Sequence, residues 1–291
     1  MIVKKSKSTN LRSWKLKDGT IRPLFYEIKK RFPVFLRQYF AGIWDGDGYQ
    51  SNAIDRRPLK GGSRKLQLTL QMSESGSEPV LKLAEIFDLT LRYEQRLQDK
   101  YCNYQPTYTI DLGGPKGELF MLCIYPYCIE NRNIIREILE QRKCIDKDYL
   151  DRRAQFSWPY LAGYADAEGY YQAKLRHQKA KRKNGSEYIG SSYCFGFVLT
   201  SNDIPSLTFI KERLMEAGYK FNKDYIQRYQ NTKSRVGRKP ETWKPTLQIK
   251  IGGGPVALSK FYKNFYMYSL IKKKQKVMRR TIDYSRLIHR K

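Results

Sequence analysis

Residues 39–50 read YFAGIWDGDGYQ, and residues 160–172 read YLAGYADAEGYYQ. Each copy begins with an aromatic residue, continues through an apolar-Ala-Gly triplet and ends on Asp-small-acid-Gly-Tyr. The later acids of the two copies, Asp47 and Glu168, stand 121 positions apart (168 minus 47). A second echo follows each copy. IDLGGP occupies 110–115 and IKIGGGP occupies 249–255, and aromatic-rich stretches, FMLCIYPY and FYKNFYMY, come after them. The echoes are 139 positions apart, so the second copy is longer by about 18 residues (139 minus 121). The basic segments KAKRKNGSE at 179–187 and NTKSRVGRKPE at 231–241 read as the loops that absorb this length. Self-similarity on this scale means one supersecondary unit used twice.

The two units share a plan. A helix of about ten residues ends at Asp-x-acid-Gly, two strands follow, then a helix, two more strands and a closing helix. In the first unit RKLQLTLQM (64–72) alternates without error, with Leu66, Leu68, Leu70 and Met72 on one side and Lys65, Gln67, Thr69 and Gln71 on the other. SEPVLKLAEIF (77–87) opens with a polar residue and carries an early Pro, as helices do. Strands are expected near 91–98 and 107–112, and in the second unit near 170–176, 193–200, 224–230 and 246–251, with a helix at 204–217. The expected fold is α+β: two pseudo-symmetric αββαββα repeats, each an antiparallel four-stranded sheet with helices on one face only. Packed through the two motif helices, the open polar faces would form a saddle for DNA. The boundaries are a basic extension over 1–32, a first repeat over 33–150 and a second over 151–291. The extension (KKSKS, RSWKLK) reads either as an arm on the DNA backbone or as a flexible tail.

Composition narrows the partners. Among 291 residues, 56 Lys and Arg face 28 acids, giving a net charge of +28, while 41% are hydrophobic. A globular chain this basic seeks a polyanion. Five cysteines, none in a CxxC pair, exclude a disulfide framework or zinc knuckle and suit reduced thiols. The N-terminus MIVKKSKSTN carries no apolar leader, and the apolar run near 120–129 is broken by Pro126. Two histidines, His177 and His289, leave catalysis to carboxylates, lysines and metal-bound water.

Gly42 and Gly46, and likewise Gly163 and Ala167, are four residues apart, so each pair lies on one helical face and permits close backbone approach. Side-by-side packing would bring Asp47 and Glu168 together at the negative ends of two helices, an arrangement poor in energy until a divalent cation fills it. The backbone carbonyls of Gly46 and Ala167 are candidate further ligands. Mg²⁺ suits such a site because it keeps several waters and accepts few protein ligands.

FAGIWDGDG (40–48) and LAGYADAEG (161–169) resemble the signature of the LAGLIDADG homing endonucleases, in the two-motif monomeric form. The resemblance runs over nearly the whole chain after about residue 33. It implies that Asp47 and Glu168 bind metal and act in catalysis, with roughly two or three ions, Mg²⁺ or another divalent cation such as Mn²⁺, between the motif helices. Asp45 and Asp166 would hold helix-end structure. A lysine of the closing helix would assist, and in SLIKKKQK (269–276) Lys274 is the match, with Gln275 beside it on the DNA. The corresponding YCIENRN (127–133) has no lysine. Members of this class cut both strands across the minor groove, leave short 3′ overhangs and promote copying of their own intron or intein gene. Abundant Lys, Ile, Tyr and Asn suit an AT-rich genome, hence an organelle (mitochondrion or chloroplast) or a bacterial cytoplasm.

A strand of about eight residues spans about 26 Å, near eight base pairs, so two halves and a central step give a target of roughly 18–22 base pairs. Expected DNA contacts are Ser51, Lys65, Gln67, Thr69, Gln71, Arg92, Arg96 and Thr109 in the first sheet. In the second they are Gln172, Lys174, Arg176, Gln248 and Lys250. KKKQK with Arg279 and Arg280 would touch phosphates. Two other readings stay open: an intron RNA maturase on the same fold, and a non-catalytic DNA-binding regulator. The intact acid pair speaks against both as sole roles.

Overall fold

The alternation in RKLQLTLQM becomes the central pairing of the first sheet. A computed structural model describes residues 30–54, 64–95, 105–142, 147–151, 153–181, 185, 187–221, 225–227, 246–251 and 254–289. Arg96, nearly all of the N-terminal extension and the 231–241 loop lie outside the described residues.

The first repeat runs α1 (Val34–Asp47), β1 (Gly48–Ile54), β2 (Arg64–Ser73), α2 (Glu78–Phe87), β3 (Arg92–Glu94), β4 (Thr107–Gly113), α3 (Gly114–Ile124) and α4 (Arg132–Gln141). A short α5 (Lys147–Leu150) leads to the second. That repeat runs α6 (Trp158–Glu168), β5 (Gly169–Lys181), β6 (Glu187–Ser201), α7 (Ile204–Glu216), β7 (Tyr225–Gln227), β8 (Thr246–Ile251), α8 (Gly254–Tyr266) and α9 (Lys272–His289). The sheets are antiparallel with matching orders, β1-β2-β4-β3 and β5-β6-β8-β7. The expected α+β architecture of two like repeats is therefore present. Each repeat ends on two helices instead of one. In the first, the aromatic stretch after IDLGGP forms α3, and the turn at Pro126 parts it from α4.

Leu66, Leu68, Leu70, Ile110 and Leu112 line the buried side of the first sheet. Phe120 of α3 packs edge-on against Trp44 at 5.0 Å and Phe87 at 5.8 Å. In the second repeat Phe261 of α8 stacks on Phe197 of β6 at 4.8 Å, and Phe265 packs on it at a tilt at 5.9 Å. Rings bury large area in few rotamers, so these contacts fix the closing helices on the sheets. Cys123 and Cys128 are buried free thiols, and among the described residues no helix is long and apolar enough to cross a membrane.

The β5–β6 hairpin departs from the sequence reading. Pairing extends to Lys181↔Glu187, so the basic loop expected at 179–187 shrinks to the hairpin tip. The charge run masked a strand. β5 is an edge strand, where lysines are tolerated and discourage further pairing. In the opposite sense, β3 has three residues, Arg92–Glu94, shorter than expected.

Candidate active site

The site begins with the absence of side chains. A Cβ built on Gly42 would lie 2.0 Å from the Tyr160 carbonyl oxygen, and one on Gly163 would lie 1.8 Å from the Tyr39 carbonyl oxygen. Backbone touches backbone at both positions, so α1 and α6 pack more closely than any side chain allows. At their last turns a Cβ on Gly46 would fall 2.4 Å from that of Ala167 and 3.1 Å from Glu168 Cγ. The two helix C-termini therefore meet.

The first acid of each motif anchors the closing helices. Asp45 is buried and accepts hydrogen bonds from the backbone N–H groups of Ile129 (2.6 Å), Glu130 (3.0 Å) and Asn131 (2.9 Å), just before α4. Asp166 accepts from Ser269 Oγ (2.8 Å), Leu270 N (3.2 Å) and Ile271 N (3.4 Å), just before α9. Carboxylates at helix N-termini complement the helix dipole. The opening tyrosines of the motifs cross the interface: Tyr160 donates to Asp45 at 2.9 Å and Tyr39 to Asp166 at 2.7 Å. Burial pushes the Asp166 carboxyl up to about 6, against the pull of these donors. The crossed tyrosines went unread in the sequence, although their shared 121-residue offset was visible there.

Asp47 faces a pocket of about 450 Å³ that Ser73, Ser75, Ala167, Tyr170 and Lys274 also line. Asp47 keeps solvent contact yet is ringed by protein atoms, and Glu168 is half-buried. Loss of hydration raises both carboxyls. Asp47 raises Glu168 further, to about 7, and Lys274 draws both down. Lys274 Nζ donates to the carbonyls of Ala165 (3.1 Å), Asp166 and Gly169 (2.9 Å), and burial lowers its pKa against the pull of the acids. With three N–H groups on three carbonyls, the ammonium acts here as a fixed charge.

Two carboxylates at the ends of two helices, with one ammonium held on the carbonyls of the second helix end, fit a hard divalent cation. The carbonyls of Gly46 and Ala167 fall in the last helical turns, which lack intrahelical partners. Among the described residues no group of three or more His, Cys, Asp and Glu forms, so water and phosphate oxygens would complete the shell, as Mg²⁺ favours.

A pH dependence follows from Glu168. A carboxyl raised in the folded state stabilises fully below its unfolded pKa, about 4.3, and loses that contribution as pH rises through about 7. In cation-free buffer the wild type is therefore expected to lose thermal stability relative to Glu168→Gln between about pH 5 and pH 8, on the order of 1 kcal/mol after allowing for screening by solvent. Melting curves at both pH values check this, and a constant difference between the two proteins would contradict it.

The open face of the first sheet carries Tyr49, Ser51, Gln67, Thr69, Gln71 and Arg92, as alternation predicts. Thr109 shares that face but is only 3% exposed, with Gln71 and Arg92 directly opposite it on the two flanking strands. Asp111 was missed: it accepts from Thr69 Oγ1 at 2.8 Å and pairs with Arg92 at 2.7 Å, so this polar face is cross-linked before any ligand arrives. In the second sheet Gln248 donates to the Tyr170 hydroxyl at 3.2 Å, and Gln248 and Lys250 lie on the less buried side of β8. Gln172, Lys174 and Arg176 take alternate register positions with Tyr170, and their side chains, like that of Lys65, lie outside the described residues. Gln275 donates one amide N–H to the Ser269 carbonyl at 2.5 Å, closing the turn into α9. Arg279 is exposed and donates to the Tyr262 and Tyr266 hydroxyls of α8.

This architecture, two ββαββ sheets joined through paired motif helices, is the fold of the LAGLIDADG homing endonucleases. Solved structures similar to the chain include I-AabMI bound to uncleaved DNA, with TM-score 0.56 and 11% identity over 87% of this chain and 91% of that one. I-LtrWI bound to target DNA gives TM-score 0.55 and 13% identity over 88% and 91%. I-SmaMI bound to cleaved DNA gives 0.52 and 10% over 87% and 90%. No protein-family model and no curated protein sequence matches the chain.

Proposed function

We propose that the protein is a site-specific DNA endonuclease that uses divalent cations to break both strands of a long target. The observation that carries this reading is the meeting of Asp47 and Glu168 at two touching helix ends, with Lys274 beside them. Similarity to proteins captured on DNA supports duplex DNA as the partner. The net charge of +28 supplies attraction to phosphate, and the polar sheet faces supply groups that match base edges in the major groove.

Asp47 and Glu168, with the carbonyls of Gly46 and Ala167, would hold the cations. When bound, Mg²⁺ would supply Lewis acidity at the phosphate and an acidified water. The chain's own residues position and compensate: the acids fix the ions, Lys274 places positive charge near the scissile phosphates, and Asp45 and Asp166 hold α4 and α9 over the helix ends. Each sheet would read one half of a target of roughly 18–22 base pairs. One chain carries both halves and would act as a monomer. The sheets differ in their exposed residues, so the target would be a degenerate palindrome. Cuts across the minor groove would leave short 3′ overhangs, a product suited to intron or intein homing.

Selection of cleaved molecules from a randomised duplex library with Mg²⁺ tests this reading. Recovery of one long site cut on both strands is expected. No cutting, together with tight binding of structured intron RNA, would replace the reading with a splicing role.

A further inference from the structure

The two helix ends carry unequal chemistry. In the second repeat Lys274 Nζ donates to the carbonyls of Ala165 and Asp166. In the first repeat the residues 121 positions earlier are Trp44 and Asp45, and their carbonyls accept from Asn131 Nδ2 at 3.0 and 3.5 Å. Asn131 thus occupies the place of Lys274 with a neutral amide.

The substitution is built in. Gln50 Nε2 donates to Asn131 Oδ1 at 2.8 Å, and Trp44 Nε1 donates to Gln50 Oε1 at 2.7 Å, so the amide is oriented at both ends. The residue before it, Glu130, is half-buried and accepts from Tyr164 Oη (3.1 Å) and Ser201 Oγ (3.3 Å). The single basic residue of segment 127–133, Arg132, points elsewhere: it donates to the Tyr125 carbonyl at 2.6 Å and lies over the Tyr125 ring. The second repeat offers three consecutive lysines at the matching helix start, with Lys273 donating to Ser75 Oγ at 3.3 Å.

We propose that the two target strands are cut in a fixed order, the phosphate nearer Lys274 first and the one nearer Asn131 more slowly, so that a singly nicked duplex accumulates. This rests on the endonuclease reading above. In each cut a water oxygen bonds to phosphorus and the P–O3′ bond breaks. The water gives up one proton and the 3′ oxygen takes one from solvent, leaving a 5′ phosphate and a 3′ hydroxyl. Negative charge gathers on the phosphoryl oxygens in between. A fixed ammonium offsets that charge, and an amide offsets less of it.

The test is a cleavage time course on the selected duplex with each strand separately labelled, in Mg²⁺. The wild type is expected to cut one strand at least about tenfold faster than the other, below the roughly 10²–10³ that one preorganised donor contributes at most. Lys274→Met is expected to slow the fast strand by about 10²-fold while the other changes far less. Asn131→Lys is expected to speed the slow strand and narrow the ratio, with a thermal midpoint near that of the wild type. A variant that merely damages the fold would slow both strands alike, so the ratio isolates the local effect. Equal rates in the wild type, or equal slowing of both strands by Lys274→Met, would overturn the fixed order and leave the endonuclease reading standing. No cutting of either strand would overturn that reading and the fixed order with it.

Discussion

Asp47→Asn and Glu168→Gln are each expected to reduce double-strand cleavage by about a thousandfold or more while leaving DNA affinity within a few-fold of wild type. The argument is electrostatic. Each substitution keeps the shape of the side chain and removes the charge that holds a hard cation. Asn and Gln offer one neutral carbonyl oxygen in place of a carboxylate, a weak ligand for a cation that dehydrates reluctantly. Neither acid belongs to the sheet faces expected to touch base edges, so register on the duplex is preserved. Removing a negative charge next to phosphates offsets the loss of the cation's attraction for them. Strand-resolved cleavage and fluorescence anisotropy on the same duplex check both halves of the expectation. Unaltered cutting by either variant would defeat the metal mechanism, and a matched loss of binding would show that the acids shape the interface.

Gly163→Ala is expected to be among the most destabilising single changes in the protein. The added Cβ would meet the Tyr39 carbonyl oxygen at 1.8 Å and its carbon at 2.8 Å. Neither atom belongs to a flexible side chain, so α1 and α6 must part. Overpacking of ordinary cores costs about 1–3 kcal/mol, and a clash of backbone with backbone belongs at or above the upper end, about 3 kcal/mol. For a chain of this size that lowers the thermal midpoint by roughly 6–12 °C. Parting the helices also separates Asp47 from Glu168, so cleavage should fall with stability. Gly76→Ala is the control. Its Cβ would meet nothing closer than Ile271 Cδ1 at 3.5 Å, and its effect should stay within about 0.5 kcal/mol. Equal midpoints for the two variants would mean that the helices do not touch as described.

Much of this was legible in the chain. The flawless alternation of 64–72 fixed which residues of β2 are buried, and the repeated motif placed Asp47 and Glu168 at equivalent helix ends. Both signals are local and periodic. What escaped depends on contacts between distant elements. Nothing local distinguishes Thr109 from its exposed neighbours, because its cover comes from Gln71 and Arg92 on other strands. The partners of Gln275 and Arg279, a helix turn and two tyrosine hydroxyls, likewise come from elsewhere in the fold. The counterpart of Lys274 was sought as a lysine, and an asparagine in YCIENRN holds the position instead. The long β5–β6 hairpin was hidden because charge marks loops and edge strands alike.

The central claim is that Asp47 and Glu168 share a divalent cation beneath the duplex. Titrating Mn²⁺ into the complex of the protein with its target, while counting bound ions by electron paramagnetic resonance, tests it most directly. Wild-type complex should bind Mn²⁺ at the helix ends, and the Asp47→Asn, Glu168→Gln double variant should lose at least about tenfold in affinity at that site. The same number of ions, bound with the same affinity by both proteins, would contradict the account.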